Sequence, residues 1–398
     1  MKMRNLKNIF LLTGLFGSLL LSSCNNDDPI KLRQKAVRKL YKHGSVKIAV
    51  ANSFDENQTK MWDGILLAQE KIEKENLCPV KIELIKCEDG GNAILGATKA
   101  YEIAADKQVC AVIGHGYSDI SLSNSLIYQY FGILHFNFIS TIHTLTERNN
   151  PFVFSNMPTD IDFGDAAAEL CERNGYKKVL IYYLENVSGT SLSNRFELGC
   201  NKRGISIATR ESYDVTTSPQ DIERSIKRWK NNFAFDSVFL AGRMPGIKTV
   251  LDIARQNGVN VPFVGADPFD DPAFASQIPF DENGRLFCVS NYDEITHNDM
   301  FNAFNIAFKE KFGYEPDIEA AQAYDALIVL AKAIAKAGSA VPDDISKALY
   351  NTTWDECVGP YIFQGNGAIY AHELTFKVFN DGKFSEIPGA HEVVSAEE

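Results

Sequence analysis

The stretch Val109-Cys-Ala-Val-Ile-Gly-His-Gly-Tyr-Ser-Asp-Ile-Ser-Leu-Ser123 joins an apolar run to a glycine-containing turn and then to a helical pattern. The apolar run predicts a buried strand, and Gly114 and Gly116 let the backbone turn sharply and approach a neighbour closely. Ser118 or Asp119 is a natural N-cap, so the next helix is predicted to begin there. The unit would place free N–H groups and a hydroxyl at the end of a strand, which suits a small anionic group. Most such turns in α/β proteins bind nothing, so the rest of the chain decides the interpretation.

The same alternation of apolar strands and helical patterns extends along most of the chain. A first series of strands is predicted at 45–50, 80–87, 109–113 and 132–137, and a second at 178–183, 205–213, 237–241, 261–265 and 286–291. This order is typical of right-handed βαβ crossovers in parallel sheets. We therefore expect an α/β fold with doubly wound, Rossmann-like parallel sheets that carry helices on both faces.

Two regions depart from this alternation. The stretch Asn150-Pro-Phe-Val-Phe-Ser-Asn-Met-Pro158 is extended and bracketed by prolines, which suits a crossing between two lobes. Towards the end of the chain, helices are predicted at 299–312, 319–337 and 343–350, and antiparallel strands at 359–363 and 374–379. Asn380-Asp-Gly-Lys383 is a typical hairpin turn.

The first 23 residues resemble a targeting segment rather than a folded element. Basic residues precede an apolar run at 9–21, which is shorter than the roughly 20 residues needed to span a bilayer. Leu21-Ser-Ser-Cys24 resembles the lipobox of bacterial lipoproteins, in which cleavage leaves an acylated cysteine at the new N-terminus. We therefore expect a signal peptide at 1–23 and a lipid on Cys24, with an ordinary secretory signal as the alternative.

Acidic and then basic residues follow this cysteine. Asn25-Asn-Asp-Asp28 resembles the surface-export signal of Bacteroidetes lipoproteins, so a periplasmic and an exterior location in the cell envelope both stay open. Between Pro29 and Ser53 the chain carries seven basic residues and no acid, with its apolar residues on one side of a helical projection. We interpret 24–43 as a lipid-anchored tether, whose helix either lies near anionic lipid or is a solvated linker.

Composition limits the classes of function. The formal net charge of -11 becomes -14 without residues 1–23, which argues against a nucleic-acid partner. The length requires two lobes or domains. Seven cysteines remain besides Cys24, with no CxxC pair and no clustered histidines, so neither a metal nor a cofactor is expected. We expect most of these cysteines to be buried small residues, with a Cys171–Cys200 disulfide as a further possibility.

Several stretches together resemble the type I periplasmic binding proteins, specifically the leucine/isoleucine/valine-binding branch. They are, in chain order, Ala111-Val-Ile-Gly-His-Gly-Tyr-Ser118, Gly132-Ile-Leu-His-Phe-Asn-Phe-Ile-Ser-Thr141, Tyr176-Lys-Lys-Val-Leu-Ile-Tyr182, Asp236-Ser-Val-Phe-Leu-Ala-Gly242, Val261-Pro-Phe-Val-Gly-Ala-Asp267, Ala320-Ala-Gln-Ala-Tyr-Asp-Ala326 and Val358-Gly-Pro-Tyr361. The resemblance implies two α/β lobes that are joined by three crossing segments and close on a ligand. It places 44–156 and 292–355 in lobe 1, and 157–291 and 356–398 in lobe 2.

The resemblance also implies which residues bind the ligand carboxylate. In amino-acid-binding members, a serine after the glycine turn and a small-residue segment after the fourth strand hold this group. Those positions are here Ser118, which follows Tyr117, and Ser140 and Thr141. Hydroxyls and N–H groups at helix starts hold a carboxylate without a formal countercharge, and simple helix capping is the alternative role of Ser140 and Thr141.

The second lobe of the family usually supplies an acid for the ligand ammonium. That position is here Asp267, whose alternative role is an N-cap. The family often has aromatic residues where this chain has Ser188 and Arg243-Met244, which argues against a plain aliphatic ligand. Arg243 would then face solvent, pair with Asp267 or hold a second acid of the ligand. Trp62 is either an apolar wall of the site or a core residue of its helix.

Three classes of function are compatible with this sequence. The resemblance implies a lipid-anchored receptor that captures a small ligand, most simply an amino acid or related carboxylate, for an ABC permease in the inner membrane. A sensor of the same fold that signals to a membrane partner is the alternative. An enzyme would need a chance nucleophile–base pair among His115, Ser118 and His143, since the chain has no GxSxG, HExxH or P-loop motif.

Overall fold

The computed structural model describes residues 28–54, 59–291, 299–370 and 374–387. Its first sheet contains five strands, which are β1 Ser45–Asn52, β2 Lys81–Glu88, β3 Val109–Gly114, β4 Leu134–Asn137 and β5 Val153–Ser155. Their order is β2-β1-β3-β4-β5, and every pair is parallel. The predicted doubly wound α/β fold is therefore confirmed in the first lobe.

The second sheet repeats this topology and adds two antiparallel strands. Its parallel part contains β6 Lys178–Leu184, β7 Ser206–Tyr213, β8 Ser237–Ala241, β9 Phe263–Gly265 and β10 Leu286–Ser290, in the order β7-β6-β8-β9-β10. A separate antiparallel pair is formed by β11 Thr353–Asp355 and β12 Pro360–Ile362. Strands β13 Thr375–Asn380 and β14 Lys383–Glu386 extend the second sheet beside β10, and the predicted hairpin turn joins them.

Helices cover both faces of each sheet. In chain order they are α1 Pro29–Lys42, α2 Thr59–Glu75, α3 Ala93–Ala105, α4 Ser118–Phe131, α5 Thr144–Glu147, α6 Asp160–Arg173, α7 Val187–Lys202, α8 Pro219–Asn232, α9 Gly246–Gln256, α10 Pro272–Ala275, α11 Asp299–Phe312, α12 Ile318–Ala337 and α13 Pro342–Tyr350. Short 3₁₀ turns lie at Asp267–Asp270 and Phe280–Glu282. Among the described residues, no helix combines the length and apolar character needed to cross a membrane.

Alternate residues of the central strands enter different cores. Ile48 and Val50 of β1 belong to the core on one face of the first sheet, whereas Ala49 and Ala51 belong to the core on the other face. All four side chains are fully buried. Burial on both faces explains why the strands are near-continuous apolar runs rather than alternating patterns.

The chain returns to the first lobe after β10 and stays there longer than predicted. The residues of α12 complete the larger core of the first sheet. Tyr361 and Phe363 belong to the same core, and the Phe363 ring lies 5.9 Å from that of Phe136 and 5.2 Å from that of Phe154. The predicted boundary at 355/356 is therefore too early, because these aromatic side chains fill the first core. Ile369 still belongs to the first core, whereas Leu374 packs against a core of the second sheet.

Helix α1 is docked on the first lobe and is not a solvated linker. The guanidinium of its Arg33 is buried and donates to four carbonyl oxygens, those of Ala104, Asp106, Val109 and Phe131, at 2.6 to 2.8 Å. Two of these carbonyls end α3 and α4, where a positive charge also complements the helix dipole. The predicted tether at 24–43 thus contains a helix that belongs to the first lobe.

We expect Arg33→Met to destabilise the first lobe. The change keeps an apolar stem but leaves four carbonyls without their donor, which should lower the free energy of unfolding by about 3 kcal/mol. Urea unfolding followed by circular dichroism measures the difference. Arg38→Met, on the exposed side of the same helix, is the matched control and should change the free energy by less than about 0.5 kcal/mol. Equal stability of the two variants would contradict the docking role of Arg33.

Candidate functional site

The carboxyl ends of the parallel strands in the two lobes meet at one cleft. Strand order reverses between β1 and β3 in the first sheet and between β6 and β8 in the second, and open α/β sheets bind ligands at such reversals. The turns that follow β3 and β8 touch, since the Arg243 guanidinium lies 4.2 Å from the centroid of the Tyr117 ring. The candidate site therefore lies between the lobes, at the reversal point of each sheet.

A buried hydrogen-bond network fixes the turn after β3. Nδ1 of His115 lies 2.6 Å from Oδ2 of Asp89, and Nε2 lies 2.8 Å from the Tyr128 hydroxyl and 3.1 Å from Nδ2 of Asn124. With Nδ1–H donating to the carboxylate, Nε2 accepts from the hydroxyl and the amide, an assignment that rests on the network itself. Ser121 Oγ bonds both the N–H and the carbonyl of His115. The turn is thus held from β2, from α4 and along its own backbone.

The two glycines of this turn are required by close packing. Gly114 has a φ of 148°, and a Cβ atom there would lie 2.2 Å from the carbonyl oxygen of Ala51. A Cβ atom on Gly116 would lie 2.1 Å from Oδ1 of the buried Asn52. A larger residue at Gly114 would require β1 to move, and one at Gly116 would displace the buried Asn52 side chain, so both glycines set the path of the turn towards Ser118.

Ser118 and Ser140 are brought together. The Ser140 hydroxyl donates to Oγ of Ser118 at 2.9 Å, and both residues are buried. Neither is a cap, because the N-cap of α4 is Tyr117 and that of α5 is His143. The predicted N-cap at Ser118 or Asp119 is therefore wrong by one residue or two. Ser118 instead begins the helix, with its hydroxyl beside the free N–H groups of the first turn.

Thr141 joins the two lobes. Its hydroxyl donates to Oδ1 of Asp160, the first residue of α6, at 2.5 Å, and its carbonyl accepts the Asp160 N–H at 2.7 Å. Burial raises the pKa of Asp160 to about 7, and the negative charge of Asp267 adds to the shift. Hydrogen bonds from the hydroxyls of Ser191 and Thr141 oppose this rise in pKa. Thr141 therefore holds an acid of the second lobe, which its sequence pattern did not predict.

Asp267 lies at the carboxyl end of β9 and opens the 3₁₀ turn. The N-cap of this turn is Ala266, and the N-cap of the following helix α10 is Asp271. Asp267 itself caps neither element, so the N-cap alternative is wrong. Burial raises the pKa of Asp267 to about 7, with a smaller contribution from Asp270. Among the described residues, no side chain donates a hydrogen bond to its carboxyl. The site therefore has two acids, Asp160 and Asp267, whose surroundings disfavour uncompensated negative charge.

Arg243 stacks on Tyr117 across the cleft. It forms no ion pair with Asp267, and no described carboxylate lies within ion-pair distance of its guanidinium. Of the three predicted roles, pairing with Asp267 is therefore not observed. A stacked arginine keeps its N–H donors at the edge of the guanidinium plane, where they can meet an anion.

Trp62 is half-buried in the first turn of α2. Its ring packs edge-on against Phe54 at 5.6 Å, and Nζ of Lys86 lies 4.9 Å from its centroid. The side chain also packs against the larger core of the first sheet. It therefore forms part of the wall at the end of β1, and no described contact joins it to the serine pair.

A second hydrogen-bond network, which the sequence did not indicate, lies beside Asp160 and is centred on His143. Nε2 of His143 accepts from Nη2 of Arg195 at 2.8 Å, and Nδ1 lies 3.3 Å from Oγ of Ser191. Burial and then the charge of Arg195 lower the pKa of His143. The pairs are thus His143 with Ser191, and Ser118 with Ser140. His115 is turned to Asp89 and cannot act as a base for Ser118.

The seven cysteines from Cys78 onwards are free in the described chain. Six are buried, which agrees with their interpretation as small core residues, and Cys171 and Cys200 form no disulfide. No group of three or more histidines, cysteines and acids among the described residues could hold a metal ion.

Comparison with known proteins agrees with this geometry. A family model described as "Periplasmic binding protein" matches residues 50–383. The chain is 23% identical over 337 residues to the leucine-, isoleucine-, valine-, threonine-, and alanine-binding protein of Pseudomonas aeruginosa, covering 83% of this chain and 89% of that protein. It is 25% identical over 275 residues to the leucine-specific-binding protein of Salmonella typhimurium, covering 68% and 73%.

Solved structures give the same result. An ABC transporter substrate-binding protein from Desulfitobacterium hafniense, solved in complex with Leu, superposes with a TM-score of 0.76 at 27% identity, covering 86% of this chain and all of that one. A leucine-binding protein from Thermotoga maritima superposes with a TM-score of 0.78 at 23% identity, covering 86% and 97%, and so shares the fold.

The pKa of Asp160 predicts a specific pH dependence of stability. An aspartate in the unfolded chain has a pKa of about 3.9, so between pH 4 and 7 the unfolded chain releases a proton that the folded protein retains. The free energy of unfolding therefore falls as the pH rises through this window. Asp160→Asn should remove that part of the decline, and should exceed the wild type in stability by about 2–4 kcal/mol at pH 8.

Urea unfolding at pH 4.5, 6 and 8 measures this difference. The exposed Asp281→Asn is the control and should follow the wild-type profile. An Asp160→Asn profile parallel to that of the wild type would show that the carboxyl has an ordinary pKa.

Proposed function

Because the chain belongs to the periplasmic binding protein family, we propose that it captures an amino acid or a related small carboxylate between its lobes and passes it to an ABC transporter. One observation carries this proposal. Two buried hydroxyls, of Ser118 and Ser140, lie at a helix start in the first lobe, and Asp267, whose carboxyl accepts no hydrogen bond from a side chain among the described residues, lies in the second. An α-amino acid carries one anionic and one cationic group and so complements both halves.

The first half of the site suits a carboxylate. The first intrahelical bond of α4 runs from the Ser121 N–H to the Tyr117 carbonyl, which leaves the N–H groups of residues 118–120 without intrahelical partners. These groups and the two serine hydroxyls can donate to a carboxylate, and the helix dipole favours its charge. Since the Asp89–His115 network holds the turn, the donors are positioned before the ligand arrives.

The second half of the site suits an ammonium. Burial disfavours the ionised form of Asp267, so an ammonium placed beside it would be held strongly and would lower its pKa. Asp160 is 1% exposed, and burial, with a smaller contribution from the charge of Asp267, raises its pKa, so it adds a second acid behind Thr141. The lobes thus differ in character, with donors in the first and acids in the second, and this difference would orient the ligand.

Arg243 indicates the character of the ligand's side chain. The P. aeruginosa relative is named for five amino acids, four of them aliphatic, and the D. hafniense structure contains leucine. In this chain a guanidinium stacked on Tyr117 lines the cleft instead of an aromatic pair. A polar or acidic side chain on the ligand would pair with it, so we propose a polar amino acid rather than a plain aliphatic one.

The two lobes would close on the ligand. Contacts between Thr141 and Asp160, and between Tyr117 and Arg243, already join them in this structure. A ligand that bonds both halves has contacts in the closed form that the open form cannot offer, and this difference in affinity shifts the population towards closure. Ser118 and Ser140 bond each other, and among the described residues neither hydroxyl bonds a histidine, so we propose binding without turnover.

We propose that this receptor is a lipoprotein of the cell envelope. The family implies a location outside the cytoplasm. The predicted signal peptide at 1–23 and lipidation at Cys24 lie outside the described residues, and they rest on the sequence alone.

A thermal-shift screen of amino acids and small carboxylates tests the ligand class. At least one amino acid should raise the melting temperature, because ligand at 100 times its Kd adds about 2.7 kcal/mol of stability. Asp267→Asn should weaken that ligand more than tenfold in isothermal titration calorimetry, and should remove the rise in affinity expected between pH 6 and 8 as Asp267 ionises.

The control for this experiment is Asp281→Asn, which removes an exposed acid of the same lobe. It should keep the wild-type affinity and pH dependence. Melting temperatures that stay constant across the whole panel would contradict an amino-acid ligand. An unchanged affinity in Asp267→Asn would exclude this residue as the ammonium partner.

A further inference from the structure

Helix α1 presents an exposed row of cations. Its sequence, PIKLRQKAVRKLYK, contains no acid, and Asp28 precedes it as the N-cap. Arg33 and Val37 are buried against the first lobe. The opposite side exposes five cations, which are Lys31, Lys35, Arg38, Lys39 and Lys42. Together with Gln34 they line one shallow surface groove of about 400 Å³. We call these five residues the basic face.

The basic face is not neutralised by the protein. Among the described residues, no carboxylate lies within ion-pair distance of any of the five cations. Asp343 accepts from the neutral amide of Gln34 at 2.8 Å, and Asp28 accepts from the Ile30 N–H at 3.0 Å. The whole chain carries a net charge of -11, so a continuous unpaired basic surface stands out against its overall charge. Such a surface fits an anionic partner.

The basic face is rigidly placed. Four hydrogen bonds of Arg33 fix α1 to carbonyls near the first residue of β3 and the last residues of α3 and α4. These atoms lie at the amino-terminal edge of the first sheet. The cleft lies at the carboxyl edge, where Ser118 and Thr141 are found. The basic face and the cleft therefore occupy opposite ends of the first lobe.

This helix lies outside the stretch that matches the family. The match to the family begins at residue 50, within β1 and after the whole of α1. The basic face is therefore not part of the matched stretch, which contains every residue that we assign to the binding site. Its position in the chain is informative, because α1 begins five residues after Cys24, a span of at most about 18 Å when fully extended.

We propose that the basic face of α1 is a docking surface for the anionic headgroups of a lipid bilayer, and that it turns the cleft away from that bilayer. A row of basic side chains on one surface is attracted to anionic lipid, and the attraction is screened by salt. The short connection to Cys24 would keep the helix at the surface to which a lipid anchor attaches. A cleft directed away from this surface would sample solutes from the opposite side, so the transporter of the proposed function would lie in a different membrane from the one that the basic face contacts.

Vesicle binding tests the docking surface without a lipid anchor. The chain from residue 24 with Cys24→Ser contains every described element and removes acylation as a cause of binding. At low ionic strength it should co-sediment with vesicles of equal parts phosphatidylglycerol and phosphatidylcholine, but not with phosphatidylcholine alone. Raising the salt to about 0.5 M should release it. Glutamine at all five positions of the basic face should lower the partition coefficient at least tenfold.

A charge-matched control separates the surface from net charge. It replaces five exposed lysines elsewhere, Lys177, Lys202, Lys227, Lys309 and Lys383, with glutamine and should bind as the wild type does. Equal loss in both variants would show a net-charge effect, and equal affinity for the neutral vesicles would show non-electrostatic adsorption. Either result, or no binding at all, would overturn the proposal. An unchanged melting temperature of each variant confirms that it is folded.

Lysine acetylation followed by mass spectrometry tests the orientation. Anionic vesicles should protect Lys31, Lys35, Lys39 and Lys42. Lys86 is exposed beside Phe54 and Trp62 at the end of β1, and it should stay fully reactive. Protection of Lys86 with free reaction in α1 would contradict the orientation. The result does not depend on ligand binding, so failure here and failure of the proposed function are separate outcomes.

Discussion

The buried contact between Asp89 and His115 is the constraint on which the binding edge of the first lobe depends. Oδ2 of Asp89, at the end of β2, lies 2.6 Å from Nδ1 of His115 in the turn after β3. On the other side of the imidazole, Nε2 bonds the hydroxyl of Tyr128 in α4. A buried carboxylate or imidazole that lost its partner would carry a large desolvation cost, so these elements keep one mutual arrangement. The consequence is a fixed position for Ser118 and for the free N–H groups at the start of α4.

The two lobes repeat one strand order but divide the chemistry between them. The first lobe offers hydroxyl and N–H donors, whereas the second offers acids whose pKa values burial raises. A ligand with separated charges would complement this difference, because its anionic group would meet the donors of the first lobe and its cationic group the acids of the second. Thr141 has a different role, because its hydroxyl donates to Asp160 across the two lobes. This bond connects the cleft edge of the first lobe to α6, the first helix of the second.

Local pattern predicted most of the strands and the turn after β3, because apolar runs and glycine turns are fixed by short-range sterics and burial. The positions of Ser118, Ser140 and Thr141 came from the family resemblance instead, and the strand order that creates the reversal points was not predicted. Local pattern could not predict that Tyr361 and Phe363 fill the first core, since this contact joins residues more than 200 positions apart. Nor could local pattern show that Arg33 donates hydrogen bonds to four carbonyls while the cations beside it on the helix face solvent. Spacing alone also gave His115 a catalytic alternative, which only the three-dimensional contacts with Asp89 and Tyr128 exclude.

A crystal structure of the complex with an amino acid identified by thermal shift would test the central claim most directly. The ligand carboxylate should lie within hydrogen-bond distance of Ser118 Oγ and of the free N–H groups of α4, with the ammonium beside Asp267. The turn at Gly114–Ser118 should occupy the same position as in the ligand-free protein. A ligand bound outside the cleft, or one whose carboxylate faces Asp267, would contradict it.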